Sequence, residues 1–107
     1  NGNFYPCERV SETSDVAHIG SLDNGFDLDK VERFLNASRV TRDVCINCWC
    51  FRFCNQCGKR ADSGGSELDA QSKLKYCAAT RRAALFEIEN YLLTSEIPMY
   101  YKDFVEV

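Results

Sequence analysis

The chain has 107 residues, a formal net charge of −3 and seven cysteines. A chain of this length forms one domain with a modest hydrophobic core, whose order is expected to depend partly on cross-links or bound metal. The acidic balance lacks the basic surface that nucleic acids require, and no apolar run reaches the roughly 20 residues that span a bilayer. Neither a nucleic-acid partner nor a membrane segment is therefore predicted.

The first residues predict a short β-hairpin. Residues 3–10 and 16–22 have the composition and alternation of strands, and they would pair as a hairpin over residues 3–22. The Asp-Asn-Gly sequence at 23–25 is a strong turn signal after the second strand.

A helix is predicted over residues 27–37. Asp27 suits its N-terminus, because an aspartate carboxylate can accept a hydrogen bond from a backbone N–H of the first turn. Apolar residues recur at helical spacing and give a face expected to pack on the hairpin: Leu28, Val31, Phe34 and Leu35.

A second helical segment is predicted over residues 66–96. Ser66 and Asp69 resemble a capping box at its start, and Cys77 would lie on the helix or at a break in it. The apolar positions of this segment are Leu74, Tyr76, Leu85, Ile88 and Leu92. Pro98 ends the pattern, so residues 97–107 are predicted to form an aromatic tail.

Between the helices, residues 41–65 show no sustained period and hold most of the cysteines. The pattern is Cys45-x2-Cys48-x5-Cys54-x2-Cys57, followed by Cys77. An odd number of cysteines cannot all pair within the chain, and such crowding is unlike a secreted disulfide scaffold. Thiolates suit zinc and iron–sulfur clusters, because soft sulfur donors match these metals. The sequence therefore predicts one α+β domain over residues 1–107 with an irregular metal-binding loop.

Two kinds of metal site remain open at this point. The pairs Cys45/Cys48 and Cys54/Cys57 would form a compressed zinc site, but that site leaves the other three cysteines unexplained. Iron–sulfur clusters tolerate close spacing better, since each iron of a cluster accepts its own thiolate.

The spacing Cys50-x3-Cys54-x2-Cys57 also matches the cluster motif that binds S-adenosylmethionine. That motif usually has an aromatic residue before its last cysteine, where this chain has Gln56. It also opens a β/α barrel far longer than the helical remainder of this chain. No site for S-adenosylmethionine is predicted here.

The whole arrangement resembles the SPASM domain, the C-terminal auxiliary-cluster module of radical S-adenosylmethionine enzymes that mature peptides and proteins. The resemblance rests on Gly2-x4-Cys7, the ordered loop cysteines, the lone Cys77 with Arg81 behind it, and Cys48-Trp49 with Phe51-Arg52-Phe53-Cys54. It covers nearly the whole chain. Peptide maturases that form thioethers are the most similar members.

The resemblance implies two auxiliary 4Fe–4S clusters. The complete outer set corresponds to Cys45, Cys48, Cys54 and Cys77, and part of the inner set to Cys7 and Cys57. The other two inner ligands of the family precede the Gly-x4-Cys element. The family has three residues before its penultimate cysteine where this chain has two, and Cys50 has no counterpart, so Cys50 is expected to be a plain thiol.

The resemblance also implies a function. The chain would be part of a longer cytoplasmic enzyme, in keeping with the absence of an initiator Met. Its clusters would accept or relay an electron while a separate domain cleaves S-adenosylmethionine and attacks a ribosomal precursor peptide or protein. The expected partners are the rest of that enzyme and its substrate; the chain itself would not be catalytic.

The alternative is a structural zinc module that presents a surface to a protein or peptide. Zinc would also be able to replace an oxygen-sensitive cluster in the isolated chain. In either case Trp49, Phe51 and Phe53 are expected to form an apolar wall around the metal, and His18 is expected to be structural.

Overall fold

The computed structural model describes residues 1–97, and three very short antiparallel strands open it. They are β1 (Asn3–Phe4), β2 (Gly20–Ser21) and β3 (Gly25–Phe26), in that order across the sheet. The first two strands pair as the hairpin prediction requires, although the strands are far shorter than predicted. The turn at 23–25 adds a third strand, with Gly25 at φ 71°.

Helix α1 (Leu28–Leu35) follows at once, and the predicted cap is confirmed. The Asp27 carboxylate accepts a hydrogen bond from the Lys30 backbone N–H at 3.2 Å. The predicted apolar face is right for Phe34 and Val31, which are buried and half-buried, and wrong for Leu28 and Leu35, which are about three-quarters exposed. Phe34 is the buried residue of this helix.

The described core is small. Val10, Ala17 and Phe34 form its centre, and Tyr5 packs against them. His18 lies beside this cluster, where its Nε2 is 3.1 Å from Asn3 Oδ1 and its ring is 5.7 Å from the Tyr5 ring. These contacts agree with the structural role expected for His18.

The cysteine segment, predicted as an irregular loop, contains no long element and is built from short turns. A 3-10 helix at Ala37–Thr41 precedes it, and within it lie helix α2 (Arg42–Cys45) and 3-10 helices at Phe51–Phe53 and Gly58–Ala61. Such turns are too brief to give a sustained period in the sequence.

The C-terminal helical segment is divided in two, helix α3 (Ala70–Leu74) and helix α4 (Cys77–Glu96). The cap of α3 is Asp69, whose carboxylate accepts from the Ser72 N–H at 2.7 Å, rather than Ser66. Cys77 is the first residue of α4, which places it at the break. The predicted tail lies almost wholly outside the described residues.

The buried face of α4 is not its apolar face. Residues at helical spacing turn inward in its first two turns, and these are Cys77, Thr80, Arg81 and Ala84. Leu85 and Leu92, two of its apolar positions, are about half exposed, as are Leu93 and Ile97. None of the helices in residues 1–97 is long and apolar enough to cross a membrane.

Gly58 joins the cysteine segment to the core and gives a first prediction. A Cβ at this position would lie 2.8 Å from both Phe34 Cδ2 and the Phe34 carbonyl oxygen. We expect Gly58→Ala to lower the free energy of unfolding by roughly 1–3 kcal/mol, because the core must shift to admit the methyl group. Denaturant unfolding of the reduced chain measures this change.

Gly65→Ala is the matched control. The nearest atom to an added Cβ there is Ser63 Oγ at 3.7 Å, an ordinary contact. Its free energy of unfolding should change by less than about 0.5 kcal/mol. Equal effects of the two substitutions would contradict the packing of Gly58 on Phe34.

Candidate metal centre

Five cysteines line one small cavity of about 30 Å³ between the cysteine segment and helix α4. They are Cys45, Cys48, Cys50, Cys54 and Cys77. The remaining lining residues are Val44, Phe51, Lys73, Thr80 and Arg81. The four cysteines predicted as the outer cluster set are therefore brought to one place.

The local backbone explains why three of these thiols meet. Three backbone hydrogen bonds each close a turn of the 3-10 type. They run from Cys48 N to Cys45 O (3.1 Å), from Phe51 N to Cys48 O (3.1 Å) and from Cys54 N to Phe51 O (3.4 Å). Side chains three apart lie on the same side of such turns. Cys45, Cys48, Phe51 and Cys54 therefore all face the cavity.

Cys77 reaches the cavity from the opposite side. As the first residue of α4, it stands on the rigid end of a 20-residue helix. Thr80 and Arg81 follow three and four residues later, on the same face of that helix. One helical face thus lines the cavity with Cys77, Thr80 and Arg81, while the Thr80 hydroxyl donates to the Tyr76 carbonyl oxygen at 2.8 Å.

Cys48 is the thiol most favoured to ionise. Hydrogen bonding from the Arg81 guanidinium lowers the pKa of Cys48 below its ordinary value, and the charges of Arg81 and Lys73 act in the same direction. The same contact raises the pKa of Arg81. The pair therefore favours a thiolate, the form that binds metal.

Cys45 is held by a second set of polar groups. Thr41 Oγ1 lies 3.1 Å from Cys45 Sγ, and Lys73 Nζ donates to Thr41 Oγ1 at 3.0 Å and to Cys45 Sγ at 3.6 Å. Thr41 and Lys73 are both buried. Buried donors around a sulfur orient it and lower its electron density.

Cys77 also accepts a hydrogen bond. Gln56 Nε2 donates to Cys77 Sγ at 3.7 Å, while Gln56 Oε1 is buried without a hydrogen-bond partner in the described residues. The Gln56 amide group therefore has a hydrogen-bond partner only through its N–H, and that partner is the sulfur of Cys77, a candidate metal ligand.

Cys50 does not stand apart from the candidate site. Its side chain is 1% exposed, as expected for a plain buried thiol, yet it lines the same cavity as the other four. Burial raises the pKa of Cys50, and the neighbouring Cys48 and Cys54 raise it further. The neutral thiol is thus the favoured form of Cys50.

Cys7 and Cys57, the predicted inner set, lie elsewhere. Both are exposed, and neither lines the cavity. Cys57 immediately precedes the turn that packs against Phe34. Their assignment to a second cluster stays a prediction.

The thiols around the cavity supply the donor atoms that a metal would need, but they are not yet close enough together. Within residues 1–97, no three Cys, His, Asp or Glu side chains are arranged closely enough to hold an ion as they stand. Four thiols and two cations around one cavity nevertheless match a tetrathiolate centre in number, kind and charge. The residues fit such a centre chemically, and closing on it requires the thiols to turn inward.

Comparisons with protein-family models, curated proteins and solved structures find no match to this chain. The resemblance to the SPASM domain therefore rests on the residue pattern.

Sequence reasoning missed two features of the site. Trp49, Phe51 and Phe53 are each more than half exposed, and of the three only Phe51 lines the cavity, so the predicted apolar wall is wrong for Trp49 and Phe53. Lys73 was not recognised as a site residue. Lys73 and Arg81 lie four residues before and after Cys77, and this helical spacing was the signal that would have found Lys73.

A larger groove of about 280 Å³ lies elsewhere, lined mainly by α1 and the following turn. Its floor contains Val16 and Phe34, and its rim contains Lys30, Arg33 and Arg39. No cysteine lines it, so the candidate chemistry belongs to the smaller cavity.

The contact between Cys48 and Arg81 gives a second prediction. Because the folded pKa of Cys48 is lowered, its thiolate should be present at a lower pH than that of an ordinary thiol. Arg81→Gln removes the main cause and should move the midpoint of the pH–alkylation profile of Cys48 upward in the reduced, metal-free chain. Iodoacetamide labelling followed by mass spectrometry measures each cysteine separately.

Arg82→Gln provides the control for the same experiment. Arg82 is exposed and does not line the cavity, so its loss should leave the Cys48 profile in place. Cys50 should label slowly in all three proteins because it is buried. Equal shifts in both arginine variants would refute a specific role for Arg81.

Proposed function

We propose that this chain is an auxiliary iron–sulfur domain of a radical S-adenosylmethionine enzyme that modifies a ribosomal peptide or protein. The observation that carries the proposal is the convergence of Cys45, Cys48, Cys54 and Cys77 on one cavity. These four are the set that the resemblance assigns to the outer cluster, and they come from two separate parts of the chain. Their meeting supports a common ligand.

A 4Fe–4S cluster bound here would accept an electron and pass it on. The chain's own residues would supply four thiolates and leave no cluster iron open to substrate. Arg81 lowers the pKa of Cys48 and so favours its thiolate, and Gln56 and Lys73 donate to two other sulfurs. Full thiolate ligation and these donors favour electron transfer over direct binding of substrate.

The partners in this proposal are the rest of the enzyme and its precursor peptide or protein substrate. Helix α4 offers a surface for one of them, because its outer half exposes apolar side chains: Leu85, Phe86, Tyr91, Leu92 and Leu93. Exposed apolar groups in such number are typical of interaction surfaces. A cytoplasmic location belongs to the same proposal, since cysteines remain reduced there.

A structural zinc module is the second candidate, and the size of the cavity favours it. At about 30 Å³ the cavity has room for about one water-sized group, so a single ion would fit it and a four-iron cluster would require it to widen. Four thiolates complete a structural zinc site, which would fix the cysteine segment against α4 without redox chemistry.

Metal and sulfide analysis distinguishes the two candidates and forms a third prediction. After anaerobic reconstitution with iron and sulfide, the chain should hold about four irons and four sulfides, the content of one cluster with four cysteine ligands. Cys45→Ser and Cys77→Ser should each abolish this content, because each removes one ligand. Cys7→Ser is the matched control and should retain it, since Cys7 is exposed and remote from the cavity.

Zinc without labile sulfide, even after reconstitution, would overturn the iron–sulfur proposal and support the zinc module. Iron retained equally in Cys45→Ser and Cys7→Ser would contradict the assigned site.

A fourth prediction concerns the complete enzyme. Cys48→Ala should leave cleavage of S-adenosylmethionine intact, because that reaction belongs to another domain, while formation of the modified peptide should be lost. Mass spectrometry of the peptide and chromatography of cleaved cofactor measure the two separately. Unchanged yield of modified peptide would exclude an essential electron-transfer role for this site.

A further inference from the structure

Lys73 is a buried cation without a carboxylate partner among residues 1–97. Its side chain is 3% exposed, less than that of any other charged residue in the described part of the chain. The ion pairs described there involve Arg9, Lys30 and Arg39, and none includes Lys73. A buried ammonium is costly unless an anion or several hydrogen bonds compensate it.

The partners that Lys73 does have are neutral in their ordinary states. Its Nζ donates to the Thr41 hydroxyl at 3.0 Å and to Cys45 Sγ at 3.6 Å. Thr41 Oγ1 also lies 3.1 Å from the same sulfur, where either atom can donate, and 3.4 Å from the Ser38 carbonyl oxygen. A Cys45 thiolate has no proton to give, so in that form the hydroxyl is the donor of the contact. An apolar side chain of similar length would fill this space without burying a charge.

We propose that Lys73 is the buried counter-charge of an anionic metal–thiolate centre, with its ammonium and the Thr41 hydroxyl directed at the Cys45 sulfur. This inference rests on the proposed function, since the anion is the thiolate centre itself. Four thiolates would bring four negative charges, and Arg81, which also lines the cavity, supplies a second cation at Cys48. Lys73 is thus a positioning residue that also sets the local charge.

The positive charge of Lys73 would affect the reduction potential of a cluster held by these cysteines. Reduction adds one negative charge, and a cation a few ångströms from a ligand sulfur stabilises the reduced form more than the oxidised form. Hydrogen bonds to ligand sulfurs act in the same sense. Lys73 would therefore raise the reduction potential of a cluster held by these cysteines.

The test compares Lys73→Met with Lys75→Met in the 107-residue chain reconstituted with iron and sulfide. Both variants lose one positive charge, but Lys75 is exposed and does not line the cavity. Redox titration followed by electron paramagnetic resonance should place the potential of Lys73→Met below that of the unmodified chain. Lys75→Met should coincide with the unmodified chain, and Lys73→Arg, which keeps the charge, should lie nearer to it than Lys73→Met.

Measurements on the metal-free chain distinguish a counter-charge role of Lys73 from a role in packing. Thermal unfolding of the reduced, metal-free Lys73→Met chain should occur at the same temperature as in the unmodified chain or higher, because an uncompensated buried charge has been removed. Loss of bound iron to a chelator should be faster in Lys73→Met, by about 10-fold or more, the usual effect of removing a partner of a metal ligand.

An unchanged potential and chelation rate in Lys73→Met would overturn the inference while leaving the proposed function intact. A metal-free Lys73→Met chain that is unfolded would also overturn it, because Lys73 would then be required by the scaffold. An unmodified chain that takes up no iron would instead overturn the proposed function as well. Should Lys73→Met hold too little cluster to titrate, Thr41→Val gives the second measurement, with a lower potential expected and an unchanged one contradicting the inference.

Discussion

The contact between the first two turns of helix α4 and the cysteine segment is the constraint on which the candidate site depends. It places Cys77 and Arg81 at a cavity whose other thiols are aligned by a series of 3-10-type turns. Neither part forms the cavity alone: the turns present Cys45, Cys48 and Cys54 on one side, and only α4 closes the other. The break at residues 75–76 matters for this reason, because it lets α4 begin at Cys77 in a new direction.

Charge balance is the second condition of the same site. Five thiols surround the cavity, and the two cations that line it approach different sulfurs, Arg81 at Cys48 and Lys73 at Cys45. The chain as a whole is acidic, so these cations do not reflect a generally basic surface. Their placement is explained by anionic sulfur, and it separates Cys48, which favours the thiolate, from the buried Cys50, which favours the thiol.

Hydrophobic burial contributes little to the described structure. The buried apolar side chains are mostly small, and the largest one with less than 2% exposure is Cys50. Large apolar residues on both α1 and α4 remain exposed instead. A domain that buries so little apolar surface depends on other interactions for its order, and bound metal couples directly to folding when its ligands come from distant segments. Ligation between Cys45 and Cys77 would join such segments.

Local chemistry was readable from the sequence. The Asp27 cap, the turn at 23–25, the α+β arrangement and the crowding of thiols each follow from interactions within a few residues, and the structure confirms the first three. The sequence also contains Cys45, Cys48, Phe51 and Cys54 at intervals of three residues, although so short a stretch gives no sustained helical period.

Tertiary structure decided the rest. It exposed Leu28, Leu35 and Leu85, because a helical apolar face is buried only where another element covers it, and little in residues 1–97 covers theirs. It brought Lys73 to the Cys45 sulfur and Cys50 into the cavity, since both contacts depend on how α3 and α4 meet the cysteine segment. The sequence by itself determined which thiols were available and how the local turns would align them; packing between distant segments determined which thiols share a cavity and which charges face them.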